Sequence, residues 1–153
     1  MKEAMVVYIF DHDGRVLLGV KQTKYCAGKL VGPGGKVEVG ESLLKATLRE
    51  TRDESGLIPR VRHPLGSVLC HHTEVRRDIM VHMFRADRYR GRLRESAELK
   101  HWAWYVPDEA TIGQMMDGDR TWFHHIVNKT RFVAEVWYDG EQKLQHHEVH
   151  AIS

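Results

Sequence analysis

Residues 34 to 57 constrain this chain more than any other stretch. They read Gly34-Gly35-Lys36-Val37-Glu38-Val39-Gly40-Glu41-Ser42, then Leu43 to Leu48, then Arg49-Glu50-Thr51-Arg52-Asp53-Glu54-Ser55-Gly56-Leu57. Ser42 suits a helix N-cap, because its hydroxyl can accept an N–H of the first turn, and Gly56 suits the left-handed residue that ends a helix. The spacing therefore predicts a glycine-rich turn followed by a helix over Ser42 to Ser55. On that helix Glu50 and Glu54, four apart, share a face, and Asp53 borders it. Like charges at this spacing cost roughly 0.2–0.5 kcal/mol per pair, and they lie at the helix end where the macrodipole disfavours anions. Arg49 and Arg52 offset part of the repulsion. A divalent cation would remove it, and hard oxygen donors select Mg²⁺ or Mn²⁺ over zinc. An ordinary solvated acidic face is the competing reading. Leu44, Thr47, Leu48 and Thr51 on the opposite side can pack on a sheet, and the Gly34-Gly35 turn lets backbone approach a metal or phosphate. Lys36 either adds positive charge near that phosphate or is a solvated turn lysine.

Around this segment the pattern is rich in strands. Met5 to Phe10 reads as a strand, Asp11-His12-Asp13-Gly14 as a turn, and Arg15 to Val20 as the returning arm of a hairpin. Gln22 to Gly35 reads as a loop. Leu65 to His71 and Asp78 to Ala86 read as strands joined around Thr73-Glu74-Val75-Arg76. The imperfect alternation of Met80, His82 and Phe84 against Val81, Met83 and Arg85 suggests a strand covered on both faces. Arg88 to Lys100 is polar and reads as a loop, Trp102 to Val106 as a strand, and Pro107 to Met116 as room for a short helix. Thr121 to Asn128 carries Trp122, Phe123, Ile126 and Val127 at helical spacing and predicts a second long helix. Phe132 to Tyr138, Asp139-Gly140 and Lys143 to His150 form a last hairpin. The fold class that fits is α+β, with helices packed on a mixed, mostly antiparallel sheet.

Composition narrows the function classes. A chain of 153 residues supports one core, and no internal repeat or linker divides it. No run approaches the roughly 20 apolar residues that span a bilayer, and the N-terminal apolar stretch is too short for a signal peptide, so a cytoplasmic protein is expected, with no membrane partner. The formal charge of +2 comes without any block of Lys or Arg along the sequence, which argues against a nucleic-acid polymer as partner. Cys26 and Cys70 match no zinc spacing and read as free thiols. The eleven histidines, paired at His71-His72, His124-His125 and His146-His147, show no HExxH spacing and read as surface or strand residues.

The segment over residues 35 to 57 resembles the Nudix box. Gly35, Glu41, Arg49, Glu50, Glu54, Gly56 and Leu57 fall in its register. Thr51 stands where an apolar residue is usual, and Asp53 replaces the first glutamate of a Glu-Glu pair. The resemblance implies a Nudix-type α/β/α sandwich over a single domain, residues 1–153, and Mg²⁺-dependent cleavage of a nucleotide diphosphate linkage. It implies that Glu50 and Glu54 hold the metal, with Asp53 and the Gly34 carbonyl as accessory ligands, and that Arg49 pairs with Glu41 to brace loop against helix. Beyond the box, the element order, Leu17-Leu18-Gly19 and the Trp122-Phe123 helix are similar to the branch that hydrolyses oxidised purine nucleoside triphosphates such as 8-oxo-dGTP. In that branch a loop glutamate assists the metal or acts as base, and Glu98 aligns with it. Glu54 is the other candidate base.

The base pocket implied by this branch is less faithfully kept. Val31 stands in place of an asparagine, Leu30 in place of an aromatic, Met116 where a tryptophan is common, and Cys70 where a pocket aromatic would be. Of an acidic pair only Asp119 remains, with Gly118 in the other place, while Tyr25 keeps an aromatic near the cleft. Loss of hydrogen-bonding groups that read a purine edge changes which base is tolerated. The expected partner is a small nucleotide and the expected assembly a monomer or homodimer. The same chemistry on ADP-ribose, a dinucleoside polyphosphate or a sugar nucleotide is an alternative, as is a sensor that has lost catalysis.

Overall fold

A computed structural model of the chain describes residues 1–74 and 76–152. In chain order the strands are β1 (Lys2–Ile9), β2 (Val16–Lys21), β3 (Leu30–Val31), β4 (Gly34–Lys36), β5 (Leu57–Pro59), β6 (Gly66–His72), β7 (Arg77–Ala86), β8 (Tyr89–Gly91), β9 (Leu99–Tyr105), β10 (Phe132–Tyr138) and β11 (Leu144–Ala151). The helices are α1 (Leu43–Ser55), α2 (Glu109–Ile112) and α3 (Phe123–Val127), with a 3₁₀ turn over Asp117–Thr121. A six-stranded sheet in the order β11-β10-β6-β7-β1-β4 is the backbone of the molecule. Within it β1 and β7 run parallel, as do β10 and β6, and the remaining pairs are antiparallel. The α+β architecture read from the sequence is the one observed.

This sheet is covered on both sides, which explains the blurred alternation in β7. Met83 joins one core with Tyr8, Val68, Trp122, Phe123, Ile126, Phe132 and Val136, while Phe84 joins the other with Met5, Val7, Ile9, Leu17 and Leu57. Helix α1 lies on the second core through Leu43, and α3 belongs to the first through Phe123 and Ile126. The face that α1 buries differs from expectation. Leu44 is 41% exposed, and the buried line runs through Ala46, Thr47, Thr51 and Ser55. Small side chains let the helix approach the sheet closely. Their hydroxyls are satisfied locally, Thr47 donating to the Leu43 carbonyl, Thr51 to Thr47 and Ser55 to Thr51. Thr51 therefore fills an apolar position at no hydrogen-bonding cost.

Four other elements depart from the sequence reading. The first hairpin is a corner, because only Phe10 bridges Val16 before β2 leaves for a three-stranded sheet with β3 and β9. Leu17 and Leu18 are wanted by different cores, so β2 wedges between them instead of continuing beside β1. The segment from Gln22 to Gly35 contains β3 and begins β4, and the segment from Arg88 to Lys100 contains β8, which pairs antiparallel with β5. The late helix is reduced to α3, because Trp122 takes φ −130° and stacks on Phe132 with ring centroids 5.7 Å apart. Strands β6 and β7 are joined over residues 73 to 76 as expected, Val75 of that stretch lying outside the described residues. No helix among the described residues is long and apolar enough to cross a membrane.

His71 staples the strands beneath the pocket described below. Its Nδ1 lies 2.7 Å from Asp78 Oδ1 and its Nε2 2.6 Å from Glu135 Oε2, tying β6 to β7 and β10. Partial burial opposes charge on the ring, but the bonds to Asp78 and Glu135 outweigh it and raise the pKa. A folded pKa above the unfolded one means the stabilisation is complete below the ordinary histidine value of about 6.5 and fades as pH rises through the folded value. His71→Gln should therefore lower Tm by about 2–4 °C at pH 6, the scale of an exposed ion pair worth about 1 kcal/mol or less. The gap from wild type should narrow at pH 9 in parallel thermal melts, and an unchanged gap would show that the imidazolium contributes nothing.

Candidate active site

The helix α1 is fixed at both ends by the residues the sequence singled out. Ser42 accepts the Lys45 N–H at 3.1 Å, and Gly56, at φ 79°, returns its own N–H to the Arg52 carbonyl at 2.8 Å. These caps set the rotation of the helix and with it the direction of its acids. Glu54 is buried and accepts the Gly34 N–H at 2.7 Å, so the turn before the helix is tied to its last turn. Gly35 faces Glu50, and a Cβ there would collide with the Glu50 carboxyl. Glycine here lets the Glu50 carboxyl lie against the turn; the close approach, not the backbone angle, is what a side chain would disturb.

Arg49 organises the loop. Its Nε and Nη2 reach both oxygens of Glu41 at 2.8 and 2.9 Å, Nη2 also meets the Lys36 carbonyl at 3.1 Å, and Nη1 holds Glu50 Oε1 at 2.7 Å. Glu41 additionally accepts the Glu38 N–H at 3.0 Å. The Arg49 guanidinium, followed by that N–H, holds the Glu41 carboxyl down at about 2, and Glu41 with Glu50 raises the pKa of Arg49. The geometry is the two-pronged fork that only arginine supplies.

Burial pushes the Glu54 carboxyl up to about 7, and the charges of Glu50 and Glu98 add to the rise, while the Gly34 bond and Lys21 oppose it. Glu98, far away in sequence, is thus within electrostatic reach of the helix acids. It is held by Lys21 Nζ at 2.7 Å, which lowers its pKa, with the Thr23 hydroxyl at 3.4 Å. Asp53 is exposed beside Arg52. Among the described residues no three His, Cys, Asp or Glu side chains converge into a ready-made cage. The donor set nevertheless fits a hard divalent ion. Two carboxylates face a glycine turn, one of them desolvated and disfavoured as a bare anion, and a cation beside it inverts that penalty.

A cleft of about 610 Å³ opens beside the glycine turn, with Gly35, Lys36, Lys21 and Lys24 on its wall. It shares Tyr25, Cys26, His72 and Ile79 with an inner pocket of about 170 Å³. Of the residues expected to bind substrate, Lys36 lines the cleft, Tyr25 lines both spaces, and Val31, Cys70, Met116 and Asp119 line the inner pocket. Leu30 instead lies in the core, 4% exposed. The inner pocket also contains His72, Tyr8 and Tyr138, which the sequence reading missed. His72 was legible as the i+2 neighbour of Cys70 on β6, and Tyr138 lies opposite it in register on β10. The His72 ring stacks on Tyr138 at 5.5 Å and meets Tyr25 edge-on at 4.9 Å.

The polar end of this pocket has an unusual construction. The Tyr138 hydroxyl accepts the Gly118 N–H at 3.0 Å and occupies the space a side chain at position 118 would need. Asp119 is left as the acid of the pocket, its carboxyl pushed up to about 7 by burial. A carboxyl near neutrality beside a phenol can present both a donor and an acceptor to a heterocycle.

Residues 1–126 match the NUDIX domain family. The chain is 36% identical over 136 residues to an oxidized purine nucleoside triphosphate hydrolase of Danio rerio, covering 89% of this chain and 86% of that protein. It is 33% identical over 143 residues to a CTP pyrophosphohydrolase of Escherichia coli, covering 93% and 79%. Its fold superposes with a TM-score of 0.85 on the crystal structure of a mutator MutT protein from Bacillus halodurans, at 26% identity and 97% coverage of each chain.

The approach of Gly35 to Glu50 gives a direct test of the metal assignment. In the native chain millimolar Mg²⁺ should raise Tm, because a ligand bound only by the folded state stabilises it. Gly35→Ala should leave the metal-free Tm within a few degrees, since the group displaced is the end of a flexible side chain, yet remove at least half of the Mg²⁺ shift. An undiminished shift would place the ion away from Glu50.

Proposed function

The chain belongs to the NUDIX family and is a Nudix hydrolase, and from that premise we propose that it cleaves a nucleoside triphosphate to the monophosphate and pyrophosphate in a Mg²⁺-dependent reaction. The proposed substrate is an oxidised purine nucleotide such as 8-oxo-dGTP, so that the reaction clears damaged precursors from the nucleotide pool. The observation that carries this reading is that Glu54, Glu50 and the Arg49–Glu41 brace are joined to the glycine turn whose Gly35 and Lys36 line a cleft, and that the cleft shares residues with a pocket holding one acid.

Glu50 and Glu54 would hold Mg²⁺, or Mn²⁺ in its place, with Asp53 and the Gly34 carbonyl as accessory ligands. When bound, such an ion neutralises charge on phosphate oxygens and lowers the pKa of water. Lys36, Lys21 and Lys24 line the cleft and offer positive charge to the polyphosphate. Glu54 has Oε1 committed to the Gly34 N–H, which leaves Oε2 to take a proton from the attacking water. That water attacks phosphorus in line, the bridging P–O bond breaks, and pyrophosphate leaves. Glu98, steadied by Lys21, is the second candidate for the base. Asp119, Tyr138 and His72 present hydrogen-bonding groups to the edge of the base, and Tyr25 shelters it from water.

A second reading rests on the pocket itself. Cys70 and Gly118 stand where the oxidised-purine branch has a ring and an acid, and the likeness to a CTP pyrophosphohydrolase supports the same chemistry on a different base. A panel of oxidised and normal nucleoside triphosphates with Mg²⁺ and product identification separates the two. The proposed substrate should give pyrophosphate and a monophosphate with the highest kcat/KM, and a higher value for CTP would favour the second reading.

Glu54→Gln keeps an oxygen for the Gly34 N–H, so the fold should persist. Its turnover should fall by about a hundredfold or more, the scale of a lost general base. Near-normal turnover would remove Glu54 from the mechanism and leave Glu98.

A further inference from the structure

Arginines scattered along the sequence are gathered by the pairing of two short strands. In the β5–β8 ribbon Ile58 lies opposite Arg90 and Pro59 opposite Tyr89, and the Arg60 N–H continues the ladder to the Arg88 carbonyl at 2.9 Å. The ribbon runs beside the outer flank of α1. Between them is a groove of about 580 Å³ with Leu44, Ile58 and Val61 on its floor and walls, and with Arg60, Arg88, Arg90 and Tyr89 around it. Arg62 and Arg92 lie beyond opposite ends of the antiparallel ribbon, and all five arginines are exposed.

Among the described residues none of these five guanidiniums has a carboxylate within ion-pairing distance, whereas Arg15, Arg49, Arg85 and Arg120 each do. The nearest acid in sequence, Asp87, is taken up by Arg85 and Lys129. Exposed like charges gathered along one ribbon make a positive surface that attracts an anion from outside. No lysine lines the groove. A set made only of arginine matches the planar fork that phosphate oxygens accept in pairs. Tyr89 is 42% exposed and is backed by Trp104 at 6.0 Å, so one side of its ring is braced and the rest is accessible.

We propose that this groove is a docking site for single-stranded nucleic acid, with phosphates on Arg60, Arg88 and Arg90 and a base laid on Tyr89. An arginine-lined concavity with an accessible ring is the arrangement by which unpaired strands are held without sequence preference. A lipid surface would be met by protruding apolar side chains, and here the apolar residues line a depression. The site is separate from the hydrolytic cleft, none of whose lining residues belongs to it. Such a site departs from the expectation of no nucleic-acid polymer as partner, which rested on the lack of any block of Lys or Arg along the sequence.

The test uses the full chain and fluorescence anisotropy with labelled oligo(U) and oligo(dT) of about 12 nucleotides, beside co-sedimentation with phosphatidylserine vesicles. With about three phosphates neutralised, affinity should fall about tenfold between about 50 and 150 mM salt. The triple variant Arg60→Ala, Arg88→Ala, Arg90→Ala should lose at least tenfold in affinity, and Tyr89→Ala about tenfold, the scale of one stacked base. Both should keep wild-type nucleotide turnover. If the triple variant melts early, Arg88→Ala and Arg90→Ala singly should each still weaken binding severalfold. Binding unaffected by these changes, no binding below about 100 µM at about 50 mM salt, or preference for vesicles would each overturn the proposal.

Discussion

Arg49 commits all three of its nitrogens at once, to both oxygens of Glu41, to Glu50 and to the Lys36 carbonyl. The loop over residues 36 to 41 is anchored to β1 at Val37, but beyond that Val39 is fully exposed and Gly40 sits at φ 80°. The guanidinium therefore converts a weakly packed loop into a fixed wall. It also restrains one of the two helix acids while the Gly34 N–H restrains the other. A carboxylate pair that would otherwise splay apart is held facing one space, which is the condition for any shared ligand.

The two-sided sheet supplies the rigidity this arrangement needs. Met5, Val7 and Ile9 on β1 are wholly buried beneath α1, and Gly34 and Gly35 pair with Val6 and Met5 at the sheet edge. The acids and the glycine turn are thus carried by neighbouring elements on one core. Pocket residues come from the opposite side, where Tyr8, Met83 and Tyr138 belong to the aromatic core around Trp122 and Phe123. One strand, β1, stands between the acids of α1 and the inner pocket, giving Met5, Val7 and Ile9 to one core and Tyr8 to the other.

What was legible in the sequence was local. Ser42, Gly56 and the spacing of Glu50 and Glu54 declare the helix because capping and helical period act within a few residues. The hairpin of β10 and β11 was legible from alternation around Asp139-Gly140. The buried face of α1 was not, because Ala46 and Ser55 are small residues whose burial depends on how closely the sheet approaches. Strands β5 and β8 have three residues each, too few for alternation to register, and exist through their pairing. For the same reason the arginine groove is invisible along the chain. His72 and Tyr138 became pocket residues only once β6 and β10 lay side by side.

The bond from Gly118 to the Tyr138 hydroxyl links two positions separated by 20 residues. Any side chain introduced at 118 must displace that phenol, and a smaller residue at 138 would leave the 118 amide without its acceptor and open a void. Neither site can drift alone. A residue larger than glycine at 118 needs a smaller partner at 138, so the two positions act as one unit of the pocket.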